Sequence, residues 1–123
     1  QAPPRLRLRI RFAGDDFIGP GKAELLERIA ATGSIAAAAR EMGLSYKRAW
    51  SMIETLNAMF DVPLVESARG GPGKGGAVLT ERGWDVLGAY QAIVAVTLEQ
   101  GGDQMTRLQS WLRAGQSDSS EGG

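Results

Sequence analysis

The sequence has 123 residues, the size of one small domain, and 43% of them are hydrophobic, which is enough for one modest core. It contains no cysteine and no histidine, which excludes disulfides, thiolate or imidazole metal sites, and nucleophile–base pairs built on those side chains. Fourteen basic and fourteen acidic residues cancel, so a protein that coats nucleic acid through its overall charge is not expected. With no apolar run of the roughly 20 residues that span a bilayer, the sequence favours a cytoplasmic protein without a membrane partner.

The N-terminal segment alternates strictly between arginine and apolar residues. Residues 5–12 read Arg-Leu-Arg-Leu-Arg-Ile-Arg-Phe, and this period of two predicts a half-buried strand over 5–12. The arginine face is suited to phosphates or to an acidic partner. We favour a second interpretation, in which the arginines form a solvated face that protects an edge strand from aggregation.

Three helices are predicted next. Pro20 suits a first helical turn, and apolar residues recur at helical spacing until Gly33 ends the segment. Ser34 caps a short helix over 35–42, which Gly43 ends, and Ser45 caps a third helix that reaches about residue 60. Two helices joined by a four-residue turn form a helix-turn-helix pattern.

A hairpin over 64–79 follows, with strands at 64–67 and 77–79. Its tip, residues 70–76, holds five glycines in seven residues. A phosphate loop of the Walker type is excluded, because such a loop needs a hydroxyl residue after Gly-Lys and must open directly into a helix. A wing that lies along the sugar-phosphate chain is the better interpretation.

The C-terminal third is predicted to be helical over 81–113. Thr80 caps a helix over 81–99, Gly101-Gly102 is expected to break it, and Asp103 begins a last short helix. Apolar residues cover more than one helix face, and three of them are predicted to form an exposed dimerisation surface: Leu87, Val94 and Leu98. Residues 114–123 are expected to be a disordered tail, so that residues 1–113 form a single domain.

This element order is mostly α with a small β-hairpin, and it predicts a winged helix-turn-helix with an N-terminal strand and a C-terminal dimerisation helix. In such folds the N-terminal residues of the second helix of the motif approach base edges in the major groove. Basic side chains also collect at the start of this helix and at the wing tip. The predicted DNA-binding residues are Ser34, Ser45, Tyr46, Lys47, Arg48, Ser51, Thr55, Arg69 and Lys74.

Several of these residues have a purely structural alternative. Ser34 and Ser45 are also ordinary helix caps, and Tyr46, four residues before Trp50, is equally suited to the core. The carboxylate pairs, Glu24 with Glu27 and Asp15 with Asp16, lack a partner for acid–base or metal chemistry. We therefore predict no catalytic residues, no metal and no cofactor, and expect that the protein is not an enzyme.

Residues 25–83 resemble the N-terminal DNA-binding domain of the ModE family of molybdate-dependent bacterial transcriptional regulators. The resemblance is carried by Gly33-Ser-Ile-Ala-Ala-Ala-Ala-Arg40, Met42-Gly-Leu-Ser-Tyr-Lys-Arg-Ala-Trp50, Leu56-Asn57, Pro63-Leu-Val-Glu66, the glycine-rich wing and Leu79-Thr-Glu-Arg-Gly83. The helix pattern alone is shared with LysR-type regulators. The resemblance implies a homodimer on a palindromic operator, recognition by residues 45–48, and dimerisation through the N-terminal strand and the fourth helix.

Members of that family carry C-terminal molybdate-binding domains, and the 123 residues offer no comparable oxyanion site. The expected function is therefore a dimeric, sequence-specific regulator of molybdate transport or molybdenum metabolism genes that lacks its own molybdate-binding domain. The alternative is a protein-interaction module that pairs with a full-length regulator or with a separate molybdate-binding protein.

Overall fold

Four helices and two antiparallel strand pairs make up the part of the chain that the computed structural model describes, residues 3–68 and 76–113. In chain order they are β1 (Ile10–Arg11), β2 (Phe17–Ile18), α1 (Pro20–Thr32), α2 (Ile35–Met42), α3 (Tyr46–Met59), β3 (Val65–Ser67), β4 (Ala77–Leu79) and α4 (Glu81–Ser110). The predicted winged helix-turn-helix is confirmed.

The first three helices begin and end where their capping residues predict. Gly33 and Gly43 follow α1 and α2 with φ of 68° and 72°, a left-handed conformation that costs glycine little. The hydroxyl of Ser34 accepts a hydrogen bond from the amide of Ala37, and that of Ser45 accepts one from the amide of Arg48, both at 3.0 Å. Local side-chain chemistry therefore fixes both ends of the turn between α2 and α3.

The core lies where α1, α2 and α3 meet the hairpin. Its largest fully buried side chains come from α1, α3 and the residue before β3: Leu25, Leu26, Ile29, Ile53, Leu56 and Leu64. Helix α3 faces the core through Ile53 and Leu56, which are buried, while Trp50 and Phe60 pack half-buried against the core.

The wing hairpin is attached firmly to the helices. Strand β3 pairs antiparallel with β4 in the register Val65 to Leu79 and Ser67 to Ala77. The side chain of Asn57, on α3, accepts hydrogen bonds from the amides of Leu64 and Val65 and donates one to the Val65 carbonyl. A helix side chain thus replaces the strand neighbour that the edge of β3 lacks.

The N-terminal strand is shorter than the alternation predicts. Residues 5–12 do alternate between half-buried and exposed positions up to Ile10, but only Ile10–Arg11 pairs with another strand, Phe17–Ile18, which was not predicted. Residues before Ile10 find no ladder partner in the described chain. They are held instead by α4, where the Tyr90 hydroxyl donates a 2.6 Å hydrogen bond to the Leu8 carbonyl.

The predicted break at Gly101-Gly102 is wrong, because α4 runs without interruption from Glu81 to Ser110. A glycine inside a helix costs about 1 kcal/mol relative to alanine, and the strong helix formers on both sides outweigh this cost. Neither glycine has a positive φ. The helix is about 45 Å long at 1.5 Å per residue. No helix in the described ranges has the length and apolarity needed to cross a membrane.

The three predicted dimerisation residues do not share one exposed face. Leu87 is buried in the core with 4% of its surface exposed, so its placement on an exposed face is wrong. Val94 packs half-buried against the core, and Leu98 is 43% exposed. The physical reason is that the apolar stripe of α4 changes its surroundings along the helix: its first half covers the core, and beyond Val94 the same stripe reaches solvent.

Candidate DNA-binding surface

The start of α3 presents four consecutive exposed side chains: Ser45, Tyr46, Lys47 and Arg48. Ser45 is the N-cap, so its hydroxyl oxygen is already engaged with the Arg48 amide while the hydroxyl hydrogen is available for donation. Lys47 and Arg48 add two cations at the positive end of the helix dipole. This arrangement is suited to phosphate oxygens and to the acceptor edge of guanine.

Tyr46 is on the surface rather than in the core. It is 52% exposed, and its ring meets that of Trp50 edge to face, with the centroids 6.3 Å apart. Trp50 is half-buried and packs on the core, so it anchors the tyrosine in one position. The phenol is therefore held at the surface next to the two cations, where it can donate to a phosphate or contact a base.

Ser51 and Thr55 lie one and two turns further along α3, and both are exposed. The Thr55 hydroxyl donates to the Ser51 carbonyl at 3.0 Å, which leaves its oxygen as an acceptor. These two residues and Arg48 line one side of a groove on the surface of the domain. The exposed polar face of α3 therefore extends over about three turns, from Ser45 to Thr55.

Ser34 lies at the junction between the helix-turn-helix and the wing. Its hydroxyl caps α2, and its backbone forms an isolated antiparallel bridge with Gly76. The Ala77 amide donates to the Gly33 carbonyl at 3.1 Å, so β4 is joined directly to the start of α2. The predicted wing residues Arg69 and Lys74 lie outside the described residues.

The groove beside α3 brings together cations that are distant in the sequence. Its volume is about 510 Å³, and its lining includes Arg7 and Arg9 from the N-terminal segment, Lys22 from the first turn of α1, and Arg48 from α3. We call these four residues the basic groove. Lys22 was not recognised as a candidate from the sequence. The available signal was its helical phase, because it precedes the buried Leu25 and Ile29 by three and seven positions.

Lys22 is a buried cation. Only 8% of its surface is exposed, and its ammonium lies 3.3 Å from the centroid of the Phe17 ring, while the Arg9 guanidinium lies 4.1 Å from the same ring. Burial lowers the pKa of Lys22, the positive charges of Arg9 and Arg48 lower it further, and Asp16 acts in the opposite direction. The ring quadrupole of Phe17 offsets part of the cost of holding these cations together.

Two ion-pair networks join elements of the described chain to one another. Arg28 joins Glu24 of α1 to Glu41 of α2, and Arg82 joins Asp61, after α3, to Asp85 of α4. These arginines already have carboxylate partners, which distinguishes them from the cations of the basic groove. The free positive charge of the described chain therefore concentrates along α3 and the N-terminal segment.

Solved structures with the same arrangement of helices and wing are DNA complexes. The chain superposes on the DNA-binding domain of CbnR in complex with DNA with a TM-score of 0.54 and 26% identity, covering 76% of this chain and 97% of that one. It superposes on full-length CbnR with its target DNA with a TM-score of 0.51 and 25% identity, covering 68% of this chain and 27% of that one.

Curated relatives are regulators and molybdenum-binding proteins. The chain is 47% identical over 83 residues to the molybdenum-pterin-binding protein MopA of Rhodobacter capsulatus, and 41% identical over 80 residues to the DNA-binding transcriptional dual regulator ModE of Escherichia coli (strain K12). These matches cover 68% and 65% of this chain but only 31% and 30% of the relatives. The resemblance to the DNA-binding part of ModE is therefore confirmed, and the chain spans about a third of the length of these relatives.

The family model of bacterial regulatory helix-turn-helix proteins of the lysR family matches residues 21–84, just over half of the chain. The matched region begins in α1 and ends in the first turn of α4, so it contains the helix-turn-helix and the wing. The chain belongs to the lysR family of bacterial regulatory helix-turn-helix proteins.

Proposed function

We propose that the protein is a sequence-specific DNA-binding transcriptional regulator of genes for molybdate transport or molybdenum metabolism, and that it acts as a homodimer on a palindromic operator. The observation that carries this proposal is the start of α3, where Tyr46, Lys47 and Arg48 are exposed side by side on a capped helix. In the helix-turn-helix mode of binding these residues face base edges, while Ser34, Ser51 and Thr55 lie near the backbone.

The link to molybdenum comes from the relatives. MopA and ModE are named for molybdenum-pterin binding and for transcriptional regulation, and their similarity to this chain covers its DNA-binding part. We infer that this protein regulates genes of the same kind as these relatives. No described residue is assigned to molybdate sensing, because the described part of the chain forms the winged helix with its N-terminal segment and α4.

Dimerisation is assigned to the second half of α4. Beyond Val94 the apolar stripe of this helix continues through Leu98, Met105 and Leu108, and Leu98 and Leu108 are 43% and 61% exposed. A second copy that packs along this stripe buries it, in the manner of a coiled coil. The dimer would place two α3 helices about 34 Å apart, one turn of B-DNA.

Residues 1–113 are proposed to act as one unit in the cytoplasm, without catalytic activity. A protein-interaction module that binds only a partner regulator is the second candidate, and the exposed α4 stripe is the feature that favours it.

The test is fluorescence anisotropy of the purified protein with a labelled duplex from the promoter of a molybdate-transporter operon, over a salt series and with and without molybdate. We expect specific binding that is indifferent to molybdate. Arg48→Ala should cost about 1–3 kcal/mol of binding free energy and relax base preference, because a bidentate contact to guanine is lost. Arg113→Ala is the matched control, because it removes one exposed cation that lies just after the C-terminal end of α4.

Each alternative outcome has a distinct meaning. An equal loss on all duplexes upon Arg48→Ala would assign Arg48 to a phosphate rather than to a base. Binding that molybdate strengthens would reveal an oxyanion site among these 123 residues and contradict the expected indifference. If the protein binds no DNA at low salt but does bind a full-length regulator, the proposal is replaced by the second candidate, a protein-interaction module.

A further inference from the structure

The basic groove carries an inference that rests on the proposed function and extends it. Its four cations come from three separate elements, yet they line one cavity with Ser51 and Thr55 of α3. DNA that contacts the exposed face of α3 therefore passes the mouth of the groove. The recognition helix and the groove form one continuous surface.

Lys22 has no carboxylate partner among the described residues, and its ammonium lies against the Phe17 ring. None of the four ion pairs among the described residues includes Lys22, and no described hydrogen bond engages its ammonium. The Lys22 ammonium therefore lies near two like charges, Arg9 and Arg48, and no described carboxylate bonds to it. It is also in the first turn of a helix, where the helix dipole opposes positive charge. This position suits an anion that enters the groove.

The backbone at the start of α1 adds donors of the same kind. Gly19 is the N-cap and supplies no side-chain hydrogen bond, so the amides of Gly21 and Lys22 lack a capping partner. Gly21 lines the groove, and a Cβ atom added to it would meet nothing within 4 Å. The site therefore combines a helix N-terminus with four cationic side chains around open space.

We propose that the basic groove binds a phosphate of the DNA backbone that flanks the bases contacted by α3, with Lys22 as its central ligand and Arg7 and Arg9 around it, while Arg48 at its α3 side faces the bases. Arg7 and Arg9 are then DNA contacts rather than part of a solvated face. Phe17 orients Lys22 and Arg9, because both cations lie against its ring. The bound phosphate supplies the negative charge that the free protein lacks at this position.

The test compares four variants by anisotropy on two labelled duplexes, one recovered by selection on the wild-type protein from random sequence and one unrelated. Lys22→Gln removes the central charge. Gly21→Asp places a carboxylate in the groove at a helix position that favours aspartate, so folding is retained while an anion is repelled. Arg107→Gln and Arg113→Gln are the matched controls, since each removes one exposed cation that does not line the groove.

We expect Lys22→Gln to weaken binding about tenfold on both duplexes and to reduce the slope of log affinity against log salt by about one. Gly21→Asp should weaken binding at least as much, whereas both controls should stay within about twofold of the wild type. Thermal unfolding provides an independent readout: Lys22→Gln should not lower Tm, since it removes the repulsion between Lys22 and the two arginines Arg9 and Arg48.

Suppose that the wild type binds DNA and that Lys22→Gln and Gly21→Asp leave both the affinity and the salt slope unchanged. This result would overturn the groove assignment and leave the proposed function intact. A wild type that binds no duplex would overturn the proposed function and the DNA source together. If the Gly21 and Lys22 amide resonances then shift on titration with inorganic phosphate, the groove is a site for a free oxyanion instead.

Discussion

The hydrogen bonds of Asn57 provide the sharpest test of how the wing is held. Its carboxamide oxygen accepts from the amides of Leu64 and Val65 at 2.8 and 3.1 Å, and its nitrogen donates to the Val65 carbonyl at 3.1 Å. Leu64 and Val65 are 0% and 5% exposed, so water does not readily replace these bonds. Asn57→Ala should therefore leave two buried donors and one buried acceptor unsatisfied.

The magnitude follows from those three groups. A buried donor or acceptor left without a partner costs about 1–3 kcal/mol, and partial relaxation of the hairpin recovers some of this cost. We expect Asn57→Ala to lower the free energy of unfolding by about 2–4 kcal/mol, a large fraction of the total for a small domain. Asn57→Asp keeps an acceptor for both amides but places an oxygen, in place of the donor, against the Val65 carbonyl, so it should still lower the free energy of unfolding by about 1–3 kcal/mol.

The assay is urea unfolding followed by circular dichroism and tryptophan fluorescence, with Thr55→Ala as the control. Thr55 is an exposed polar residue of the same helix whose hydroxyl bonds only to the helix backbone, so its replacement should change stability by less than about 0.5 kcal/mol. A loss below about 1 kcal/mol in Asn57→Ala, with an unchanged m-value, would refute the argument that α3 positions the wing through this side chain.

Three further predictions concern α4. Gly83→Ala should destabilise the domain by about 2 kcal/mol or more in the same unfolding assay, because the added Cβ would collide with the backbone carbonyl of Leu64; a loss near zero would mean that the helix and β3 can separate easily. Leu98→Asp should convert a dimer into a monomer in analytical ultracentrifugation without a large loss of Tm, since the residue is 43% exposed in the single chain; an unchanged dimer would place the interface elsewhere. The Arg82 guanidinium lowers the pKa of Asp61, so this pair stabilises the protein above the ordinary carboxyl value of 3.8, and the stabilisation disappears as the pH falls through the lowered folded-state pKa. Arg82→Gln should therefore flatten the acid limb of the stability curve, and an identical acid limb would contradict the linkage.

Much of the fold was predictable because local chemistry fixes it. Proline at the start of α1, serine caps at α2 and α3, and glycines after α1 and α2 set helix ends through interactions within a few residues. The sequence motif around α3 similarly placed Lys47 and Arg48 at an exposed helix start, whereas it left Tyr46 equally suited to the core. Their roles toward DNA stay predictions, since they depend on a partner that is absent from the chain.

What the sequence by itself determined is thus the order and the caps of the helices, the wing strands and the chemistry of α3. Tertiary structure alone decided that β1 is only two residues long, that Leu87 faces the core, and that α4 continues through Gly101. It also decided that Lys22 lies near Arg9 and Arg48, since these cations are far apart in the chain and come together only where the N-terminal segment, the first turn of α1 and α3 line one groove. A hydrophobic pattern specifies which side of an element is buried, but the neighbour that covers it is selected by packing of the whole domain.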